Sequence, residues 1–160
     1  MTPAEWCVHL TGLPLLLDSP EPMVAGIVAA EMGSAPYPAL RSLKPELNPA
    51  AIRARLADPT RSDRRALDTL LLGIAGGPED AIWIEKQLDA AWQSNDATNL
   101  GSLIAADLEL QGPARLNYII DHYLADPNRS EAEIEAAILA LGQQGQANTV
   151  IPRDRVIDAY

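Results

Sequence analysis

The octet LADPTRSD at residues 56–63 returns as LADPNRSE at residues 124–131, and the way the two copies read decides the fold. Asp-Pro marks a turn in which proline presets the backbone, and the Ser that follows is placed to cap a helix. Ser130 opens SEAE, a capping box in which Glu133, at the third helical position, reaches back to the cap. Ser62 occupies the same place in the first copy, and Asp96 is the natural cap before ATNLGSLIAADLEL at 97–110. Residues 62, 96 and 130 are separated by 34 each time, which is a repeat period.

The helices behind these caps share an apolar stripe at helical spacing. It runs through Ala66, Leu67, Leu70, Leu71 and Ile74, then Leu100, Leu103, Ile104 and Leu108, then Ile134, Ala137, Ile138 and Leu141. Glycine and then proline follow each stripe, in GGPED at 76–80, QGPAR at 111–115 and GQANTVIPRD at 145–154. Gly past one helix end and Pro inside the next start predict a helix–turn–helix hairpin. A shift of 35 lays Ala81, Trp83 and Ile84 over Leu116, Tyr118 and Ile119, so the second helices correspond as well. Neither helix of such a pair buries its stripe alone, so neighbouring pairs must stack.

The span 1–57 is a less regular version of the same theme within one domain of 1–160, whose regular pairs occupy 58–160. TPAEWCVHL at 2–10 begins with a capping box, Thr2 to Glu5; LLDSPEPMVAGIVAAEMG at 16–33 offers Ser19 as cap and Pro20 at the first helical position; NPAAIRARL at 48–56 repeats the device with Asn48 and Pro49. Proline crowds 36–49, where only short or kinked helix is expected. The fold class is therefore all-α, with helices near 3–11, 20–33, 49–57, 63–75, 78–92, 97–110, 113–124, 131–142 and 152–160 and no sheet.

Leu-x-Asp-Pro opening a helix, followed by Ala-rich apolar spacing to Gly, resembles the HEAT repeat family and its shorter bacterial HEAT-like relatives. The stretches that carry the resemblance are LLDSPEPMVAGIVAAEMG, LADPTRSDRRALDTLLLG and LADPNRSEAEIEAAILALG. Ala25 stands after Val24 where the family usually has Arg, and the unit at 93–111 lacks the Asp-Pro. The resemblance implies an α-solenoid, a superhelix of stacked antiparallel helix pairs whose curved surface binds an extended protein or peptide partner.

Composition agrees with helices and narrows the partners. Hydrophobic residues make up 48% of the 160, aromatics only 4%, and Phe is missing, so the core must be mostly Ala, Leu, Ile and Val, which favours close-packed helices. A net charge of −10 argues against nucleic acid and against an anionic membrane surface, both of which need Lys and Arg. Apolar stretches such as MVAGIVAA at 23–30 fall short of the ~18 residues that span a bilayer. The start MTPAEWCVHL lacks the basic segment and cleavage site of a signal peptide, so a cytoplasmic location is favoured. PRDRVIDAY at 152–160 begins a second helix whose Val156, Ile157 and Tyr160 are left to be covered by further chain or by a homodimer contact.

Chemistry is sparse. Cys7 and His9 point about 200° apart on a helix and His122 is distant, so no metal or cofactor is expected. The acids Glu79 with Asp80, and Glu131, Glu133 and Glu135, sit at helix starts, where they favour the dipole. GIAGGPED at 73–80 has neither the following Lys-Ser/Thr nor the preceding strand of a phosphate loop. Charge, however, is segregated. Residues 1–40 carry four acids and no Lys or Arg, whereas 41–65 hold Arg41, Lys44, Arg53, Arg55, Arg61, Arg64 and Arg65 against Glu46, Asp58 and Asp63. The simpler explanation is pairing with acids on adjoining helices; the sharper one is a basic patch for an acidic or phosphorylated segment. Trp83, Trp92, Tyr118 and Tyr123 fall on consecutive second helices, as core between repeats or as an aromatic ridge for a peptide. The candidate binding residues are Arg61, Arg64, Arg65, Trp83 and Tyr118. The leading function is a non-enzymatic protein–protein interaction scaffold; the alternatives are an enzyme-associated, lyase-like module and a structural portion of a larger protein.

Overall fold

A computed structural model describes residues 2–147, and every regular element among them is helical. α1 (Pro3–Leu10) is opened by the Thr2–Glu5 capping box and followed by a 3-10 turn at Leu13–Asp18. α2 spans Pro22–Ser34, so Pro22 rather than Pro20 takes the first helical position, and the Ser19 hydroxyl accepts from the Glu21 amide outside the helix. The proline-crowded span gives only α3 (Tyr37–Arg41) and a 3-10 turn at Lys44–Glu46. α4 (Pro49–Ala57) is capped by Asn48, whose side chain accepts from the amides of Ala50 and Ala51.

The regular pairs follow. α5 (Arg65–Ala75) and α6 (Pro78–Ser94) are joined through Gly76 and Gly77; α7 spans Leu100–Gln111. The helix predicted at 113–124 is three pieces, a 3-10 turn at Gly112–Arg115, α8 (Leu116–Ile119) and a π turn at Ile120–Leu124. α9 runs Glu131–Ala147, longer than predicted, and the helix expected at 152–160 lies outside the described residues.

Two of the three caps at the 34-residue period are displaced. Ser62 does not open α5: residues 59–64 wind as a 3-10 turn capped by Asp58, and α5 begins at Arg65. The reason is in the sequence, because Arg65 stands where a capping box needs Glu. Asp96 accepts from the Thr98 amide at 2.8 Å, but α7 starts only at Leu100, because Asn95 and Asn99 hold the left-handed backbone (φ 54° and 59°) that turns the chain. Ser130 and Glu133 form the predicted box, with Glu133 N donating to Ser130 Oγ at 3.2 Å and Ser130 N to Glu133 Oε1 at 3.2 Å.

α5 lies beside α7 and α7 beside α9, while α4 packs on α5 and α6 on α7. The α5–α7 contact is close enough that a Cβ on Gly73 would lie 2.5 Å from the Ala106 Cα, so only glycine fits. Leu71, Ile74, Leu100, Ile104, Leu108 and Leu141 of the predicted stripe are buried; Ile138 is 40% exposed, and Ala140 is buried on that helix instead. By contrast α2 and α6 each make few contacts with α5. Gaps therefore flank α5 on both sides.

Two buried ion pairs brace this arrangement. Arg55 Nε donates to Asp68 at 2.8 Å and Arg115 Nε to Asp107 at 2.7 Å. Burial pushes both carboxyls up, and the arginine beside each pulls the other way.

Candidate functional site

The octet recurs because it is a clamp. In each copy the Asp Oδ1 accepts a backbone amide two residues on, Asp58 from Thr60 and Asp126 from Asn128, both at 2.9 Å. Each Arg then pairs with that Asp, Arg61 at 3.7 Å and Arg129 at 3.1 Å. Each also donates to a carbonyl of an earlier element, Arg61 to Leu17 at 3.3 Å and Arg129 to Trp92 at 2.8 Å. A side chain that closes its own turn and grips an earlier stretch of chain fixes the spacing of neighbouring units.

Arg61 is therefore structural, and it reaches Asp18 at 3.5 Å as well. Arg41 pairs with Glu109, Arg53 with Asp80 at 2.7 Å and Glu79 at 3.0 Å, and Arg55 with Asp18 at 2.9 Å besides Asp68. For these four the simpler explanation of the basic run suffices. Arg64 and Arg65 differ, since neither has a carboxylate partner among the described residues.

The two do not form one patch. Consecutive helical residues point about 100° apart, and these face different gaps. Arg64 borders a cavity of about 500 Å³ between α2 and α5, with Gly26, Ala29 and Gly33 on one wall and Ala66, Leu67 and Leu70 on the other. Arg65 turns toward α6, where its guanidinium lies 5.8 Å from the centre of the Trp83 ring and donates to the Leu56 carbonyl at 3.2 Å.

Arg65, Trp83 and Gln87 line two adjoining depressions of about 410 and 270 Å³, which lie side by side along α6 and are together called the groove. The larger end is apolar at its base, with Leu56, Ala57 and Leu72 beneath Trp83. The smaller end is polar, with Ser94, Asp96, Thr98 and Asn99 on its sides. At the apolar end Arg53 is neutralised by Asp80 and Glu79; its hydrogen bonds to Asp80 hold that carboxyl below the usual range. Arg65 is thus the arginine of the groove without a carboxylate partner among the described residues, held by a carbonyl and an aromatic face, in a lining whose two arginines stand against Glu79, Asp80 and Asp96.

Tyr118 belongs elsewhere. Its ring is stacked on His122 with centres 3.8 Å apart and carries the Arg115 guanidinium 4.1 Å above it, and its hydroxyl donates to Asp89 at 2.9 Å. Burial, with Asp89 next, raises that hydroxyl's pKa, so it stays a donor. His122 in turn meets Trp92 edge-on at 5.1 Å, and Arg129 lies 4.9 Å from the Trp92 ring. Tyr123 is fully buried. Of the aromatic group, Trp92, Tyr118 and Tyr123 pack between units, and only Trp83 lines the groove. Cys7, His9 and His122 line none of these cavities, and His9 is bonded to Glu31 at 3.0 Å.

Sequence reasoning found Arg65 and Trp83 separately, for charge and for aromaticity, and missed Leu56, Leu72 and Gln87, which carry no signal beyond an ordinary helix face. The chain matches no protein-family model, no curated protein and no solved structure.

Proposed function

We propose that this chain is a non-enzymatic interaction scaffold, an α-solenoid of HEAT-like helix pairs that holds a segment of a protein partner in the groove between α5 and α6. The observation that supports it is Arg65, a guanidinium with no carboxylate partner among the described residues, set against Trp83 over an apolar base. Such a groove offers a half-buried aromatic anchor beside a charge, the kind of pairing enriched among the residues that dominate binding energy at protein interfaces. A photo-crosslinking residue in place of Gln87, on the groove wall, is expected to attach a protein partner in a lysate of the source cells. The same residue in place of Glu135, exposed on α9, is expected to attach none. Equal labelling at both positions overturns the assignment.

A further inference from the structure

We infer that the groove reads an extended peptide segment that carries an internal Asp or Glu on Arg65 and an apolar side chain beside it, over Leu56, Ala57 and Leu72. The inference rests on the scaffold assignment above and narrows it to one partner chemistry. Three features of the groove select that chemistry.

The first is charge. Arg65 already satisfies one donor on the Leu56 carbonyl and has Trp83 on its face, which leaves the remaining guanidinium N–H groups for an incoming oxygen. Arg53 is held by Asp80 and Glu79 at one end, and Asp96 lines the other, so the groove favours one negative charge at its centre and repels more. A carboxylate fits that balance; a phosphate, with a charge of about −1.5 to −2, does not.

The second is adjacency. The depressions of about 410 and 270 Å³ share Arg65, Trp83 and Gln87 in their walls, so a segment laid along α6 reaches both. A segment that occupies both carries its acid internally. From Glu79 to Ser94 the α6 wall rises about 22 Å, the length of about seven extended residues.

The third is direction. One end of the groove is apolar and the other polar, so the apolar residue lies toward Leu56 and Leu72, and the residues on the far side of the acid lie against Ser94, Thr98 and Asn99.

Selection of a displayed library of random ten-residue peptides against the whole chain tests this. The expected consensus is an Asp or Glu with an apolar residue within two positions on one side. Synthetic peptides of that consensus should lose at least tenfold in affinity, read by calorimetry, against Arg65→Gln. They should bind Arg64→Gln as they bind the parent chain, and Arg65→Lys should recover only part, because a point charge replaces a fork. Thermal melting of each variant separates lost binding from lost folding. Enriched peptides without an acid, a preference for phosphoserine over glutamate, or binding indifferent to Arg65→Gln overturns the inference while leaving the scaffold assignment standing. A library that yields no binder overturns both.

Discussion

The two copies of the octet part company at the second residue past each, Arg65 after the first and Glu133 after the second. In the second, Glu133 is fully buried; it accepts from the Ser130 amide and hydroxyl and from Asn95, pairs with Arg129 at 3.0 Å, and α9 starts directly behind the turn. In the first, the aligned residue is Arg65, which leaves the cap unmade, delays α5 by a 3-10 turn and projects toward Trp83. Nearly the same octet is therefore followed by a sealed junction in one place and an open one in the other. The local capping rule is broken at Arg65, whose contacts are instead the Leu56 carbonyl and the Trp83 ring, and positions that break a local rule are where function is expected.

The contrast is broken most strongly by Glu133→Ala. Losing a buried, hydrogen-bonded carboxylate should cost about 3 kcal/mol and lower the Tm by roughly 6–12 °C, while Arg65→Ala at the aligned position should shift the Tm by no more than about 3 °C. Comparable losses at both sites would erase the difference. The acid limb of stability should change too. Burial works to raise the Glu133 carboxyl, but the hydrogen bonds from Ser130 and Asn95 and the Arg129 charge outweigh it, so its net pKa lies below the ordinary value. Its contribution is complete above the unfolded pKa of about 4.3 and is lost as pH falls through the lower folded value. Glu133→Gln should flatten urea-unfolding midpoints between about pH 5 and 3, and an unchanged slope would show that the carboxylate contributes nothing there.

Next in size is the packing on either side of α7. Gly73→Ala should destabilise by about 1–3 kcal/mol, because the added methyl meets Ala106 backbone at 2.5 Å and neither helix can yield. Gly101→Ala, whose Cβ would lie 3.7 Å from the Ala136 carbonyl, should instead stabilise by about 0.5–1 kcal/mol through helix propensity. Denaturant midpoints that move in the same direction for both would refute the tight α5–α7 crossing.

The smallest effect on stability is the sharpest test of the comparison. Arg65→Glu restores Ser62-x-x-Glu to the first copy, so α5 can begin earlier, and the Tm should hold or rise by an amount worth up to about 1 kcal/mol. Affinity for acidic peptides should disappear in the same variant. A Tm lower by several degrees would mean that Arg65 is needed for the fold.

Much of this was legible in the sequence, and the exceptions have physical causes. The caps at Thr2, Asn48 and Ser130 were readable because each lies within three residues of the groups it satisfies. The start of α2 was misplaced by two residues because Pro20 and Pro22 both suit a first helical turn, and nothing local chooses between them. The pairs Arg55–Asp68 and Arg115–Asp107 depend on tertiary packing that charge counting does not see. The groove was legible only in part, since its charge and its aromatic ring announce themselves while its apolar base does not.

The split second helix, finally, constrains how this chain can change in length. The 3-10 turn at Gly112–Arg115 advances 120° per residue and the π turn at Ile120–Leu124 about 82°, against 100° for an α-helix. Gly112 holds a left-handed backbone (φ 73°) and is not itself wound, so three residues overwound by about 20° offset about two thirds of five underwound by about 18°, and Leu116, Ile119 and Tyr123 are all buried. Deleting one residue from 120–124 would remove the underwinding and keep the overwinding, swinging the downstream octet about the helix axis and carrying Arg129 off the Trp92 carbonyl. A stretch that looks like an irregular connection is thereby closed to insertions and deletions.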